Sequence, residues 1–535
     1  MQEWWRGALI YQVYPRSFSD SNGDGLGDLP GITEKLPYIA ALGVDAIWIS
    51  PFFKSPMLDF GYDIADYCAV DPIFGNIDDF KTLLQTAHHL NLKVIIDQVI
   101  SHSSEQHAWF QESRQNRTNP KADWYVWADA KPDGREPNNW LSFFGGSAWT
   151  WEPSREQYYL HNFLTSQPDL NFHNPEVRQA QLDNMRFWLD LGVDGFRLDV
   201  ANFYFHDKQL RDNPVLTADQ ATTVGVAKVN PYSQQQHIYD ISQPENIDFL
   251  KELRELMDEY PERTTMGEIN GENSLQIMSQ YTRGSEHLHM AYTFDLLGKD
   301  SGVAHISQLI TQLDASLADG WPCWALANHD VERVVTRWGN NKDSAQFSLV
   351  AMAMLISLRG SVCIYQGEEL GLPEANVAFE DIADPYGKPF WPEYKGRDGC
   401  RTPMVWNNES GGGFSTNKPW LPIDPEHLPL SVSSQLDDEN SVLNKMRQLL
   451  QWRQNVPALV KGEQTIIDGT GAYCWIRSDG QQSILCAFNL TDARICFESP
   501  KLLQGELAGH GFAGYTENNQ IVLPPYQACF ITCVD

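Results

Sequence analysis

The stretch Val193-Asp194-Gly195-Phe196-Arg197-Leu198-Asp199 reads as a buried strand, yet it carries a guanidinium and ends in a carboxylate. Residues i and i+2 of a strand share a face, so Arg197 and Asp199 point the same way. Burying both charges costs on the order of several kcal/mol per ion before they pair, so the pair is either a structural salt bridge or a reaction centre. Other apolar runs end in similar chemistry: Asp97 and His102 close one, Glu268 another, and His329 with Asp330 a third. Carboxylates converging on one rim raise one another's proton affinity unless cations and donors surround them, and Arg197, His102 and His329 are available for that purpose. One protonated and one ionised carboxylate are the equipment for cleaving a glycosidic bond through an oxocarbenium-like transition state. At a separation of about 5 to 5.5 Å, the ionised acid attacks directly and anomeric configuration is retained.

A repeating unit must position these groups. The segment Ile77 to Leu90 is apolar at 77, 80, 83, 84, 87 and 90, the period of an amphipathic helix, and Lys93 to Ile100 follows as a buried strand. In Leu42-Gly43-Val44-Asp45 and Leu191-Gly192-Val193-Asp194 a glycine closes a helix before a strand begins. Eight such strands are expected, near Leu9 to Tyr14, Ala46 to Ser50, Val94 to Ile100, Gly195 to Val200, Thr264 to Ile269, Ala291 to Asp295, Trp324 to Asp330 and Val362 to Gln366. Eight βα units in one direction predict an α/β fold, a closed (β/α)8 TIM barrel with its site at the C-terminal strand ends. A doubly wound open sheet is the alternative, but no Gly-rich phosphate loop supports it.

Three segments break the rhythm. Residues 102–172, rich in Trp, Tyr, Gly and Pro, read as a small domain inserted after strand three, and 372–439 as an irregular excursion of the barrel after strand eight. The barrel itself takes residues 1–101 and 173–460. Residues 461–535 alternate as short strands, with Ser478-Asp479-Gly480 as a hairpin turn, and predict a C-terminal antiparallel β-sandwich domain.

Composition sets outer limits. With 42% hydrophobic and 20% charged residues, the chain has the make-up of a soluble globular protein, and no apolar run approaches the roughly 20 residues of a membrane span. A net charge of −31 argues against nucleic acid or an anionic membrane as partner. Nine scattered cysteines without a C-x-x-C pair, and no basic segment followed by an apolar one at the start, fit a cytoplasmic protein with reduced thiols. Asp20-Ser21-Asn22-Gly23-Asp24-Gly25-Leu26-Gly27-Asp28 sets oxygen donors at alternate positions on a Gly-rich turn, which suits either a hard cation or a solvated acidic loop.

Taken together, Asp97-Gln98-Val99-Ile100-Ser101-His102, Gly195-Phe196-Arg197-Leu198-Asp199, Gly267-Glu268 and Asn328-His329-Asp330 resemble the four ordered motifs of the α-amylase superfamily, glycoside hydrolase family 13. The resemblance covers nearly the whole chain. It implies Asp199 as nucleophile, Glu268 as general acid/base and Asp330 as the third carboxylate, with His102, Arg197 and His329 as donors to the sugar beside the nucleophile. Ser101 departs from the pattern, standing where Asn is usual.

Gln167-Pro168-Asp169-Leu170-Asn171 resembles the signature of oligo-1,6-glucosidases and α-glucosidases. Asp59-Phe60-Gly61-Tyr62-Asp63 is similar to the segment closing the non-reducing end of their pocket, implying that Asp59 binds distal hydroxyls, Tyr62 stacks on glucose and Arg397 pairs with Asp59. Of the aromatic residues in the insertion, the match places Phe144 and Phe163 at the substrate. Val200 resembles the valine of α-1,6-hydrolysing relatives, where many strict maltases carry Thr or Ala, a difference worth about 1 to 3 kcal/mol of discrimination.

The same resemblance implies a structural Ca²⁺ or Mg²⁺ held by Asp20, Asn22, Asp24, the Leu26 carbonyl and Asp28, with no organic cofactor. The implied activity is that of a retaining, exo-acting α-glucosidase on small α-1,4 and α-1,6 glucosides. A transglucosylase or sucrose-converting enzyme is the alternative within the family, and a non-catalytic carbohydrate-binding relative the alternative from another class. The sequence is silent on oligomeric state.

Overall fold

The computed structural model describes residues 3–217, 226 and 229–534; residues 1, 2, 218–225, 227 and 228 of the predicted barrel segments and residue 535 of the predicted C-terminal domain lie outside the described residues. Eight parallel strands form its centre: β1 (Leu9–Val13), β2 (Ala46–Ile49), β3 (Lys93–Gln98), β4 (Gly195–Leu198), β5 (Thr264–Ile269), β6 (Met290–Thr293), β7 (Cys323–Ala325) and β8 (Ser361–Tyr365). They pair in the order 6-5-4-3-2-1-8-7, and a bridge between Ala291 and Pro322 joins the two ends into a barrel. Apart from Lys93, every strand residue is buried, as a parallel sheet covered on both faces requires.

Helices fill the crossovers. Ile77–His89 starts on a capping box in which the Asn76 side chain accepts from the Asp78 and Asp79 amides while Asp79 accepts the Asn76 amide. Pro175–Leu191 has Asn174 as its N-cap and stops at Gly192, which at φ 105° occupies the left-handed region open to glycine. The chain then enters β4 through Gly195, where a Cβ would stand 2.6 Å from the Thr264 carbonyl oxygen on β5. Close approach of these strands therefore sets the spacing between Arg197 and Glu268.

Several strands end earlier than periodicity predicts. β3, β4 and β7 stop at Gln98, Leu198 and Ala325, not at Ile100, Val200 and Asp330, and β6 stops at Thr293 before a 3-10 turn over Asp295–Leu297. Apolar residues past the sheet edge pack like strand residues, so periodicity alone overruns. Val200, at φ 36°, is held in a backbone region that a β-branched residue rarely adopts.

Residues 102–172 carry a three-stranded antiparallel sheet made of Trp127–Ala128, Gln157–Leu160 and Trp149–Glu152. Trp140, Ala148, Trp149 and Leu160 form its core, whereas Trp151 is 41% exposed. After β8 an irregular run leads to the helix Val442–Gln454. The C-terminal part has a five-stranded and a three-stranded antiparallel sheet. Its hairpin Tyr473–Ser478 and Ser483–Phe488 turns at Gly480, φ 83°, and docks on the barrel where Trp475 Nε1 and Arg477 Nη1 donate to the Ser357 carbonyl. All nine cysteines are free thiols, and Cys474 and Cys529 pack in this domain's core. Among the described residues no helix is long and apolar enough to cross a membrane.

Gly195→Ala is expected to force β4 from β5 and cost about 2 kcal/mol of stability, as overpacking does. Denaturant unfolding of the variant checks this; an unchanged midpoint would reject the packing account of Gly195.

Candidate active site

Arg197 lies at the centre of the barrel's C-terminal mouth and is wholly buried. A guanidinium has five N–H donors, and here they are directed at four neighbours. Nη1 donates to Asp97, at 2.8 and 3.0 Å, and to Asp199 Oδ1 at 2.7 Å. Nη2 reaches Glu268 Oε2 at 2.7 Å and the Tyr292 hydroxyl at 2.7 Å, and Nε donates to the same hydroxyl at 3.1 Å. Register explains the assembly: Asp97 faces Arg197 across β3 and β4, and Glu268 faces Tyr292 across β5 and β6. Although β4 ends at Leu198, Asp199 keeps the same direction as Arg197.

Three carboxylates around one buried cation disfavour one another's ionisation. Burial pushes Asp199 well above the usual carboxylate range; Arg197 pulls it down, and Glu268, Asp97 and Asp330 push it up again. Asp97 is raised to about 6, first by burial, although Arg197 opposes. Glu268 also accepts the Val200 amide at 3.0 Å, so the strained turn after Asp199 ties nucleophile and acid candidates together.

A second cationic group holds the other carboxylates. Arg397 Nη2 donates to Asp59 Oδ1 at 2.8 Å and to Asp384 Oδ1 at 2.7 Å, while Nη1 reaches Asp330 Oδ1 at 3.2 Å. Asp384 also accepts the Arg397 amide and Nε, at 2.7 and 3.1 Å. Arg401 Nη2 reaches Asp330 Oδ1 at 2.7 Å and its Nε donates to the His329 carbonyl at 2.6 Å. Burial raises the Asp330 carboxyl, but His329, Arg401 and Arg397 outweigh it and hold the group well below the usual range. Asp59 remains raised by burial despite Arg397.

Burial disfavours the imidazolium form of both histidines. Burial pushes His102 to about 4 and His329 to about 3. The Gln12 amide nitrogen lies 2.8 Å from His329 Nδ1, which assigns the proton to Nε2, facing the Tyr62 hydroxyl at 2.6 Å; Tyr62 in turn donates to Asp97 Oδ2 at 3.1 Å. Ser101 Oγ sits 2.9 Å from His102 Nδ1, so the residue that departs from the usual Asn still orients this ring.

Above this floor opens a cavity of about 630 Å³, counting its mouth. Asp59, Tyr62, His102, Asp199, Glu268 and Asp330 line it, and Val200, Phe144, Phe163 and Arg397 complete the set named from sequence that reaches it. Arg197 and His329 lie beneath the lining, wholly buried. Sequence reasoning passed over Phe143, Phe294, Tyr386, Tyr394, Gln167 and Asn270 as lining residues. Gln167 stands in the quoted signature and donates to Asp59 Oδ2 at 3.1 Å, and Asn270 follows Glu268 by two residues just past the end of β5, so both had a signal. Tyr386 and Tyr394 lie in the aperiodic excursion and had none.

A model of the α-amylase catalytic domain matches residues 12–462. The chain belongs to the α-amylase family. It is 53% identical to a probable α-glucosidase of Rhizobium meliloti (strain 1021), over 99% of this chain and 97% of that protein. It is 36% identical to an oligo-1,6-glucosidase of Heyndrickxia coagulans, over 96% and 97% of the two chains. The crystal structure of an α-glucosyl transfer enzyme, XgtA, superposes with a TM-score of 0.98 at 55% identity, covering both chains completely. These similarities make the chain a glycoside hydrolase of the family's α-glucosidase subgroup.

The loop of alternating oxygen donors lies in the connection between β1 and the helix Leu29–Ala41. Asp20 Oδ1 accepts the Asn22 and Gly23 amides, Asn22 Oδ1 the Asp24 amide, and Asp24 Oδ1 the Leu26 amide. Asp28 is buried and caps the helix Leu29–Ala41 by accepting from Gly31, and it also accepts from Ser21. Among the described residues no three His, Cys, Asp or Glu side chains are gathered as a metal cage. The donors are nonetheless all hard oxygens, the kind Ca²⁺ and Mg²⁺ take.

Asp384→Asn leaves Arg397 without its main counter-charge and is expected to cost about 3 kcal/mol of folding stability, the penalty for breaking a buried ion pair. Chemical denaturation is the measure, and a loss below about 1 kcal/mol, the scale of an exposed pair, would show that Asp384 does not anchor Arg397.

Proposed function

We propose that this chain is a retaining, exo-acting α-glucosidase that releases terminal α-linked glucose from short oligosaccharides through a covalent glucosyl-enzyme intermediate. One observation carries the reading: Asp199 and Glu268, far apart in sequence, share one guanidinium and border one cavity. Glu268 protonates the departing glycosidic oxygen as a carboxylate oxygen of Asp199 bonds to the anomeric carbon. In the second half-reaction Glu268 takes a proton from water, whose oxygen displaces Asp199. Asp330, held ionised by Arg401 and Arg397, accepts hydrogen bonds from sugar hydroxyls. His102, Tyr62 and Asp59 shape the inner end, and Arg197 and His329 set the charge and orientation of that floor from below. Asp59 and Arg397 both line the cavity and are paired at 2.8 Å, and a pair that closes one end of a pocket supports removal of one terminal residue at a time.

A second reading has a sugar in place of water at the second step. Phe143, Phe144, Phe294, Tyr386 and Tyr394 around the cavity, together with the likeness to an α-glucosyl transfer enzyme, favour it. Aromatic faces receive the apolar faces of an acceptor sugar and offer water few partners. The substrates proposed are small α-1,4 and α-1,6 glucosides; Val200 beside Asp199, and relatives named oligo-1,6-glucosidase, support the second linkage. A hard cation is proposed at Asp20, Asn22, Asp24, the Leu26 carbonyl and Asp28, where it would brace the loop. A cytoplasmic location is proposed from free thiols such as Cys323 and Cys363, which are 3.6 Å apart and unlinked.

Asp199→Asn is expected to lower turnover by about 10⁴-fold or more. Glucose freshly released by the native enzyme should appear as the α-anomer by polarimetry or NMR; initial β-glucose would reject retention. Isomaltose should be hydrolysed alongside maltose, and complete inertness toward it would dismiss the linkage reading of Val200. Chelation should lower the melting temperature while the rate of the still-folded enzyme stays unchanged; a melting curve insensitive to chelator would remove the proposed ion.

A further inference from the structure

Tyr292 stands between the guanidinium and the proposed acid, and its hydrogen-bond polarity is fixed by its neighbours. Arg197 can only donate, so the phenol oxygen accepts from Nε at 3.1 Å and from Nη2 at 2.7 Å. The phenol's own proton is then directed at Glu268 Oε1, 3.2 Å away. Burial, the leading cause, raises the phenol well above its ordinary range, which favours the protonated, donating form. Two contacts fix the opposite oxygen of Glu268: Oε2 meets Arg197 Nη2 and the Val200 amide. Tyr292 is thus the contact that fixes Oε1.

We propose that Tyr292 is a positioning residue for Glu268. By occupying Nε and one N–H of Nη2, it keeps the guanidinium from closing as a two-pronged fork on Glu268. By donating to Oε1 it fixes the rotation of the carboxyl group and presents one edge to the leaving-group side of the cavity. Without the hydroxyl, two buried N–H donors of Arg197 lose their acceptor, and the nearest replacement is the Glu268 carboxylate. The acid would then be drawn down onto Arg197 and away from the glycosidic oxygen. The inference rests on the reading of Glu268 as the acid.

The test compares a substrate whose leaving group needs a proton with one whose leaving group does not. Tyr292→Phe should lower kcat/KM for maltose by about 100-fold, the low end of a general acid's contribution, and for α-glucosyl fluoride by less than about 3-fold. Glu268→Gln, run beside it, must show the same selectivity; if it does not, the reading of Glu268 fails and the inference with it. If Glu268→Gln is selective but Tyr292→Phe slows both substrates equally, acts only on KM, or slows neither, the positioning role is overturned alone. 3-Fluorotyrosine at position 292 preserves the shape should the Phe variant not fold. It must change kcat/KM for maltose and leave that for the fluoride untouched, and equal effects on both would again overturn the proposal.

Discussion

A buried guanidinium with more anionic neighbours than charge to offer is the constraint on which this molecule depends. Arg197 is out of reach of water, and its guanidinium is shared among Asp97, Asp199, Glu268 and Tyr292. Any one of these acids left without a partner there would incur a large desolvation cost. The shape of the barrel mouth follows from satisfying them together. β3, β4, β5 and β6 must hold a fixed register, Gly195 must let β4 approach β5, and the chain after Asp199 must turn at Val200 to bring its amide onto Glu268.

The excursion after β8 supplies the opposing wall. Arg397 and Arg401 come from the short helix Asp398–Arg401 and the residue before it, and Asp384 holds the first of them by its backbone amide and its side chain. A segment with little regular structure thus delivers two cations with little freedom, because ion pairs and carbonyl contacts replace a hydrogen-bonded ladder. The barrel provides acids, the excursion provides the charge that keeps Asp330 ionised, and the cavity lies between them.

Much of this could be read from residue order, for a physical reason. A strand of a parallel barrel is buried on both faces, so a charged residue at the end of an apolar run is conspicuous, as at Asp97, Arg197, Asp199 and Glu268. The same rule hid Tyr292. It lies inside the apolar run Met290 to Phe294, where a tyrosine reads as core, and only the register with Glu268 reveals its hydroxyl as a partner. Strand ends were overrun for a related reason, since Val99, Ile100 and Val200 are apolar but lie beyond the ladder. Tyr386, Tyr394 and Asp384 occur where no period constrains the chain, so nothing in their spacing marked them.

The ring of strands is not uniformly sewn. Neighbouring strands share three or four registered pairs around most of the circle, whereas β6 and β7 meet at the single bridge of Ala291 with Pro322. A cylinder with one loosely clasped edge flexes there first, because fewer backbone bonds must break for it to yield. β6, carrying Tyr292 and leading to Phe294, borders that edge, so a partner of Glu268 and a residue of the cavity wall both hang beside the most loosely paired seam of the barrel.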